Sequence, residues 1–185
     1  MTGEGIPVGC ESFPGNFHDA KTLKVALRSL SRRFRIRRII FVADRGMVSE
    51  KNLSLVEEEG YDYIVGVKMR GLKRIRDFVL STPGRYKDVE DNLKVKEVKL
   101  NKGRYIICYN PFEAEKDKMD RDEIIKNLQE KIKTGSLGRV LTGDAKRFCK
   151  IEAEKIIIDK ERTQKEARYD GKYVLQTSTD LSSER

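Results

Sequence analysis

Two kinds of apolar spacing divide the first 82 residues into helices and strands. Between residues 23 and 34 an apolar residue recurs at steps of three or four, which predicts a helix with one apolar face. Asn16 or Asp19 lies where a side chain can cap the first turn of that helix. A shorter run at 6–13, ended by a Pro-Gly-Asn turn, predicts an extended segment before it.

Two continuous apolar runs follow, at residues 36–43 and 61–67. Continuous rather than alternating apolar residues are typical of strands that are buried on both faces, as in parallel sheets covered by helices. The segment 49–59 between them predicts a helix, with Ser49 as its N-cap and Gly60 as its stop. The order predicts a βαβ unit, in which two adjacent parallel strands are joined by a right-handed crossover.

The pattern changes after a further predicted helix at 72–80. Charged and apolar residues then alternate, and a turn at 101–103 separates two such stretches, which predicts a hairpin. The elements predicted beyond residue 83 are strands at 93–100 and 105–109, a helix at 111–134 with Ile124, Ile125, Leu128 and Ile132 facing inward, and strands at 156–159 and 173–177. The polar stretch 160–171 is assigned no helix or strand. Residues 83–180 are therefore mostly antiparallel β structure with one helix.

Composition narrows the possible partners. Lys and Arg number 39 against 30 Asp and Glu, so the formal charge is +9. This excess favours an anionic partner, most often nucleic acid, although a solvated lysine-rich surface has the same composition. No apolar run of about 18 residues and no secretory N-terminal pattern occurs, which predicts a cytoplasmic protein that does not span a membrane. Cys10, Cys108 and Cys149 are widely spaced, so we expect reduced thiols in the core rather than disulfides or a zinc site.

Asp44 is the strongest candidate for chemistry. It follows the first continuous apolar run, and ligands of open α/β sheets bind outside the carboxyl ends of the strands. Gly46 lets the backbone turn closely there, which suits a metal-binding carboxylate. An Asp that merely caps a helix or fills a loop is the alternative at this position.

Four segments carry motifs. They are Gly-Ile-Pro at 5–7 with Glu-x-Phe-Pro-Gly-Asn-x-x-Asp at 11–19, Val-Ala-Asp-Arg-Gly-Met at 42–47, Gly-Tyr-Asp-Tyr-Ile-Val-Gly at 60–66, and Tyr-Asp-Gly-Lys-Tyr-Val-Leu-x-Thr at 169–177 with Thr-Asp-Leu-Ser at 179–182. Together these motifs resemble the DDE transposases of bacterial insertion sequences, the group with a β-rich insertion in a ribonuclease H-like catalytic domain.

The resemblance implies an α/β fold in three parts. Residues 1–82 correspond to an incomplete ribonuclease H-like catalytic core, 83–180 to the β-rich α+β insertion domain, and 181–185 to a truncated C-terminal end. Asp44 matches the second carboxylate of the family's Asp-Asp-Glu triad, which binds Mg²⁺ or Mn²⁺. The first Asp belongs upstream of Gly5 and the Glu belongs beyond Ser182, so we expect an internal fragment of a transposase.

Three carboxylates are needed to hold the two metal ions of DNA strand cleavage and transfer. With Asp44 alone, we expect the chain to be catalytically inactive. The alternative is a non-enzymatic, basic nucleic-acid-binding or regulatory module. A phosphatase-like enzyme with Asp44 as nucleophile is a weaker hypothesis, because no second Asp follows closely.

A basic stretch after the 61–67 run is the candidate DNA-binding surface. Phosphate contacts from such residues give sequence-independent, salt-sensitive affinity, whereas a solvated helix face has the same spacing. The residues are Lys68, Arg70, Lys73, Arg74 and Arg76. The strand at 36–43 is also expected to lack one neighbour, because the missing first strand of the family lies beside it. An unpaired apolar edge of this kind predicts self-association.

Overall fold

The computed structural model describes residues 7, 9–10, 12, 14, 19–34, 38–46, 49–100, 103–136 and 141–183. The extended run predicted at 6–13, the turn after it and the cap at Asn16 lie outside the described residues, wholly or in large part. The same holds for most of the predicted hairpin turn at 101–103.

The described chain folds into eight strands, five α-helices and one short π-helix. In chain order the elements are α1 (Asp19–Phe34), β1 (Ile40–Ala43), α2 (Glu50–Glu58), β2 (Asp62–Gly66), the π-helix (Arg74–Val79), β3 (Lys87–Glu90), β4 (Leu93–Leu100), β5 (Gly103–Tyr109), α3 (Pro111–Lys133), α4 (Gly143–Phe148), β6 (Cys149–Glu152), β7 (Lys155–Ile158), α5 (Lys160–Ala167) and β8 (Lys172–Thr177).

Strands β1 and β2 are adjacent and parallel, as the sequence predicts. Their register pairs Ile40 with Asp62 and Ala43 with Val65. Helix α2 connects them and is capped by Ser49, whose side-chain oxygen accepts a 3.1 Å hydrogen bond from the backbone nitrogen of Asn52. The prediction of adjacent parallel strands joined by a helix is confirmed.

The burial of β1 differs from the prediction. Phe41 and Ala43 pack against the buried residues of α1 and α2, whereas Val42 between them is 70% exposed. The expectation that this strand is buried on both faces is therefore wrong. Phe41 and Ala43 pack on one face of the strand, whereas the Val42 side chain on the other face is exposed to solvent.

The core of this region lies between the two helices and the parallel pair. Leu23 and Leu27 of α1 meet Leu53 and Val56 of α2, together with buried residues of β2. Leu23 and Leu27 belong to the apolar face that the sequence predicts for α1, and their burial confirms that face at these two positions; Ala26 between them is half-buried.

Strands β1 to β5 and β8 belong to one mixed sheet of order β1-β2-β8-β5-β4-β3. The β1–β2 pair is parallel, and β8 runs antiparallel to β2, as β3 does to β4. Strands β4 and β5 are neighbours in this order, which confirms the predicted pairing of these two strands. The fold is thus mixed α/β.

The chain divides into two compact units. The first comprises Met1–Pro83, Glu97–Ile106 and Val174–Arg185, and the second comprises Gly84–Lys96 and Ile107–Tyr173. Assignment of the whole of 83–180 to an inserted domain stays a prediction.

The second unit contains its own core around helix α3. Leu128, Phe148 and Cys149 are buried there, with Ile124, Ile125 and Ile132 packed against them, so the predicted inward face of α3 is confirmed. Gly135 follows the helix with a φ of +68°, the left-handed conformation of a helix stop.

Three features of the second unit differ from the sequence prediction. The stretch 160–171 contains helix α5 rather than an irregular segment, and the short helix α4 adds to it, so the expectation of a single helix is wrong. Strand β6 pairs with β7 in a separate two-stranded sheet.

Of the cysteines, Cys108 and Cys149 are buried as expected, whereas Cys10 is exposed. No described helix combines the length and apolar character needed to cross a membrane.

Candidate functional site

Asp44 lies at the carboxyl edge of the parallel pair. It follows β1 directly, and the pairing of Ala43 with Val65 brings it beside Gly66 at the end of β2. A Cβ atom built on Gly66 would lie 3.6 Å from Asp44 Oδ1 and 3.3 Å from the backbone nitrogen of Arg45. Gly66 therefore leaves the space beside the carboxylate open.

The Asp44 side chain is exposed and is oriented by its own loop. Its Oδ1 accepts a 2.6 Å hydrogen bond from the backbone nitrogen of Arg45. One carboxylate does not make a Mg²⁺ or Mn²⁺ site of the two-metal kind, and the described residues contain no cluster of three or more His, Cys, Asp or Glu side chains that could hold a metal. The described residues around Asp44 therefore do not by themselves fit such a centre.

The basic stretch leaves the sheet at the same edge as Asp44, because β1 and β2 are parallel. Lys68, Arg70 and Lys73 are exposed along the turn that follows β2. The π-helix begins directly afterwards, at Arg74. A π-helix is rare and is frequently found at functional sites, because its extra residue per turn changes where side chains project.

Arg74 and Arg76 are held by partners within the first unit. The Arg74 guanidinium lies 5.5 Å from the centre of the Tyr105 ring and donates a 3.4 Å hydrogen bond to Gln176 Oε1. Arg76 is paired with the neighbouring Asp77 through two hydrogen bonds of 2.7 and 2.9 Å. These contacts give Arg74 and Arg76 structural roles within the first unit.

A buried polar pair lies between β2 and β8. Gln176 Nε2 donates a 3.2 Å hydrogen bond to the Tyr63 hydroxyl, so the one Gln amide contacts both Tyr63 and Arg74. Burial raises the pKa of Tyr63 and of Tyr105. Both phenols therefore stay neutral at physiological pH, and Tyr63 accepts the Gln176 hydrogen bond rather than acting as a base.

Arg104 fixes the segment that follows β8. Its Nη1 donates to the carbonyl oxygens of Thr179 at 3.0 Å and Leu181 at 2.7 Å, while Nη2 donates to Glu97 at 2.8 Å. The hydrogen bond to Arg104 lowers the pKa of Glu97, because it favours the ionised carboxylate. Sequence analysis singled out residues 179–182 but not Arg104, which lies 75 or more residues before the two carbonyl groups that it binds.

Hydroxyl groups of the same segment attach it to β2. Thr177 Oγ1 donates a 2.8 Å hydrogen bond to the carbonyl oxygen of Tyr63, and the Tyr63 backbone nitrogen donates to Ser178 Oγ at 3.0 Å. The hydroxyl groups of Thr177 and Ser178 therefore hold the end of β8 and the residue after it against β2.

Comparison with known proteins gives one match. A family model described as Transposase DDE domain matches residues 1–183. No curated protein and no solved structure matches significantly.

Proposed function

The chain belongs to the family of transposases with a DDE domain, whose members act in DNA transposition, and we propose that it is the part of such an enzyme that carries the second triad carboxylate and a DNA-contacting surface. Members of this family act on DNA and generally use a divalent metal. Within it, we assign residues 1–82 to a ribonuclease H-like core with Asp44 as the triad residue.

The position of Asp44 is the observation that carries this proposal. A carboxylate at the carboxyl edge of two parallel strands, with a glycine beside it, suits a group that must approach a bulky phosphate backbone. The helix-linked parallel pair supports a ribonuclease H-like arrangement for the same residues.

We propose that the 185-residue chain does not cleave DNA by itself. Strand transfer needs three converging carboxylates, and this chain matches one of them, at Asp44. Binding does not depend on the triad, because phosphate contacts come from cationic side chains. The expected activity of the chain alone is therefore salt-sensitive DNA binding without cleavage.

Lys68, Arg70 and Lys73 are the proposed phosphate contacts. All three are exposed and follow the strand whose end lies beside Asp44. Arg74 and Arg76 contribute positive charge to the same surface, but their guanidinium groups are already engaged with Tyr105, Gln176 and Asp77.

The DNA-binding proposal is tested by the salt dependence of affinity for a short duplex. Replacing Lys68, Arg70 and Lys73 with Gln should reduce the slope of log affinity against log salt, since each lost phosphate contact removes about 0.9 from it. The matched control replaces Lys126, Lys131 and Lys133, three exposed lysines of α3, with Gln. Equal slopes for the two triple variants would contradict this assignment.

The second experiment tests catalysis. Incubation of the chain with supercoiled plasmid and Mg²⁺ or Mn²⁺ should give no nicked product beyond that of an Asp44→Asn variant. Metal-dependent nicking by the chain that disappears in Asp44→Asn would show that this polypeptide assembles a working centre and would overturn the proposed inactivity.

A further inference from the structure

A cavity of about 630 Å³ lies within the second unit, and none of the residues of the proposed function lines it. It is lined by the residue before β3, by residues of β4, β5, α3 and the end of α5, and by the turn into β8 with the first residue of that strand. The side chains that matter here are Tyr86, Tyr109, Lys94, Lys118 and Lys172. Its volume falls within the range of about 300–1,000 Å³ that is usual for small-molecule sites.

Two tyrosines form an aromatic wall of this cavity. The ring centres of Tyr86 and Tyr109 are 5.9 Å apart, with the rings tilted by 57°. Two lysine ammonium groups lie over these rings, Lys96 at 5.2 Å from the Tyr86 centre and Lys172 at 5.7 Å from that of Tyr109. Aromatic faces and cations are thus combined in one place.

The cavity wall carries more positive than negative charge. Lys94 pairs with Asp88 at 2.8 Å, and Lys118 is exposed. The carboxylates among the lining residues are Glu115 and Asp170, and Asp170 is paired with Arg121. Lys172 Nζ donates a 2.8 Å hydrogen bond to the carbonyl oxygen of Arg168, and burial lowers the pKa of this lysine, so its partly desolvated ammonium group would gain from an anionic partner.

The motif at 169–172 holds Lys172 in place. Gly171 has a φ of +61°, its nitrogen donates to Asp117 Oδ2 at 2.8 Å, and its carbonyl oxygen accepts from the Asn110 nitrogen at 2.8 Å. The turn is therefore fastened to the start of α3 at both peptide groups, and Lys172 follows it directly. A motif that the proposed function leaves unused thus builds one side of the cavity.

We propose that this cavity is a nucleotide-binding site, in which a base contacts Tyr86 and Tyr109 and the phosphate pairs with Lys94, Lys118 and Lys172. An aromatic wall provides a stacking surface that is tolerant of base identity, and the lysines supply the charge that a phosphate needs. The inference does not rest on the proposed strand-transfer core, because none of its residues belongs to the first unit. The nucleotide is either a free mononucleotide or an unpaired nucleotide of a DNA strand.

Calorimetric titration of the full 185-residue chain tests the site. The probes are deoxyadenosine monophosphate, deoxyadenosine, inorganic phosphate and a twelve-residue oligodeoxyadenylate. We expect the monophosphate to bind about tenfold or more tightly than either deoxyadenosine or phosphate, since it engages both the rings and the lysines. Equal binding of phosphate and monophosphate would reduce the cavity to an anion patch and overturn the proposal.

Two variants locate the binding. Lys118→Glu changes an exposed cavity residue and should weaken monophosphate binding by about fivefold or more, whereas Lys126→Glu makes the same charge change elsewhere on α3 and should leave it nearly unchanged. Tyr109→Leu should weaken the monophosphate but not phosphate, with exposed Phe112→Leu as its control. Equal losses in Lys118→Glu and Lys126→Glu, or no binding of the monophosphate at millimolar concentration, would contradict the proposal.

The oligonucleotide separates the two sources of nucleotide. Binding of the oligonucleotide at least about tenfold tighter than that of the monophosphate, and weakened by Lys118→Glu, would support a strand of DNA as the occupant. Binding of the monophosphate with no gain for the oligonucleotide would support a free nucleotide.

Discussion

Gly171 shows how a single residue determines the geometry of a motif. Among the described glycines it has the closest surroundings: a Cβ atom there would lie 2.3 Å from the Asn110 carbonyl oxygen and 2.6 Å from Ala114 Cβ. The neighbouring Asp170 is paired with the largely buried Arg121. The Tyr-Asp-Gly-Lys sequence therefore specifies a tightly packed turn at the start of α3.

Substitution of Gly171 should be far more costly than substitution of another glycine with the same backbone conformation. Gly135 has a φ of +68° but open space around its Cα, so Gly135→Ala should lower the free energy of unfolding by about 1–2 kcal/mol through backbone strain alone. Gly171→Ala adds a clash with backbone atoms and should cost at least about 4 kcal/mol. Urea denaturation followed by circular dichroism measures both free energies of unfolding. Similar losses for the two variants would show that the turn at Gly171 can relax around the added methyl group.

At the level of elements, the sequence predicts those whose apolar pattern reflects packing. The face of α1, strand β2, the β4–β5 pair and the long helix α3 each place apolar residues at positions that the structure buries, whereas the apolar run of β1 leaves Val42 exposed. Asp44 could also be placed at the carboxyl edge of β1, because the strand before it is continuous and apolar.

The missed elements lack such patterns for identifiable reasons. Helix α5 buries none of its residues, so no apolar period marks it. The turn between β6 and β7 uses Ala153 and Glu154 at φ of +47° and +62°, where Gly or Asn would have indicated a hairpin. The cavity tyrosines and Lys172 are separated by more than sixty residues, and it is the fold that brings them together.

Helix α2 provides a test at this scale, because it joins the two parallel strands. Loss of the Ser49 hydroxyl leaves the Asn52 nitrogen without its cap, so Ser49→Ala should lower the free energy of unfolding by about 1 kcal/mol, and Ser49→Asp should restore most of it. Ser54→Ala, at an exposed position inside the same helix, should be neutral or slightly stabilising. Equal effects of the two alanine variants would show that the cap contributes nothing measurable.

At the level of the whole molecule, the edge of strand β1 is the surface through which we expect two copies of the chain to associate. It stands at one end of the described strand order, and its Val42 side chain is 70% exposed. Exposed apolar edge strands tend to pair with other chains, and the charge of +9 opposes association only weakly at physiological salt because of screening. We therefore expect concentration-dependent self-association of the chain.

A lysine at Val42 should suppress this association without damaging the fold. Val42 faces solvent, so Val42→Lys places a charge on the edge at little cost to the core, whereas Ile40 is half-buried and would lose packing. Ile151→Lys is the matched control, since Ile151 is an exposed apolar residue of β6 and the change adds the same charge. Sedimentation velocity over a range of concentrations should show oligomers for the unmodified chain and Ile151→Lys but mainly monomer for Val42→Lys. A chain that is monomeric throughout, or equal dissociation by both lysines, would mean that the β1 edge is not the contact.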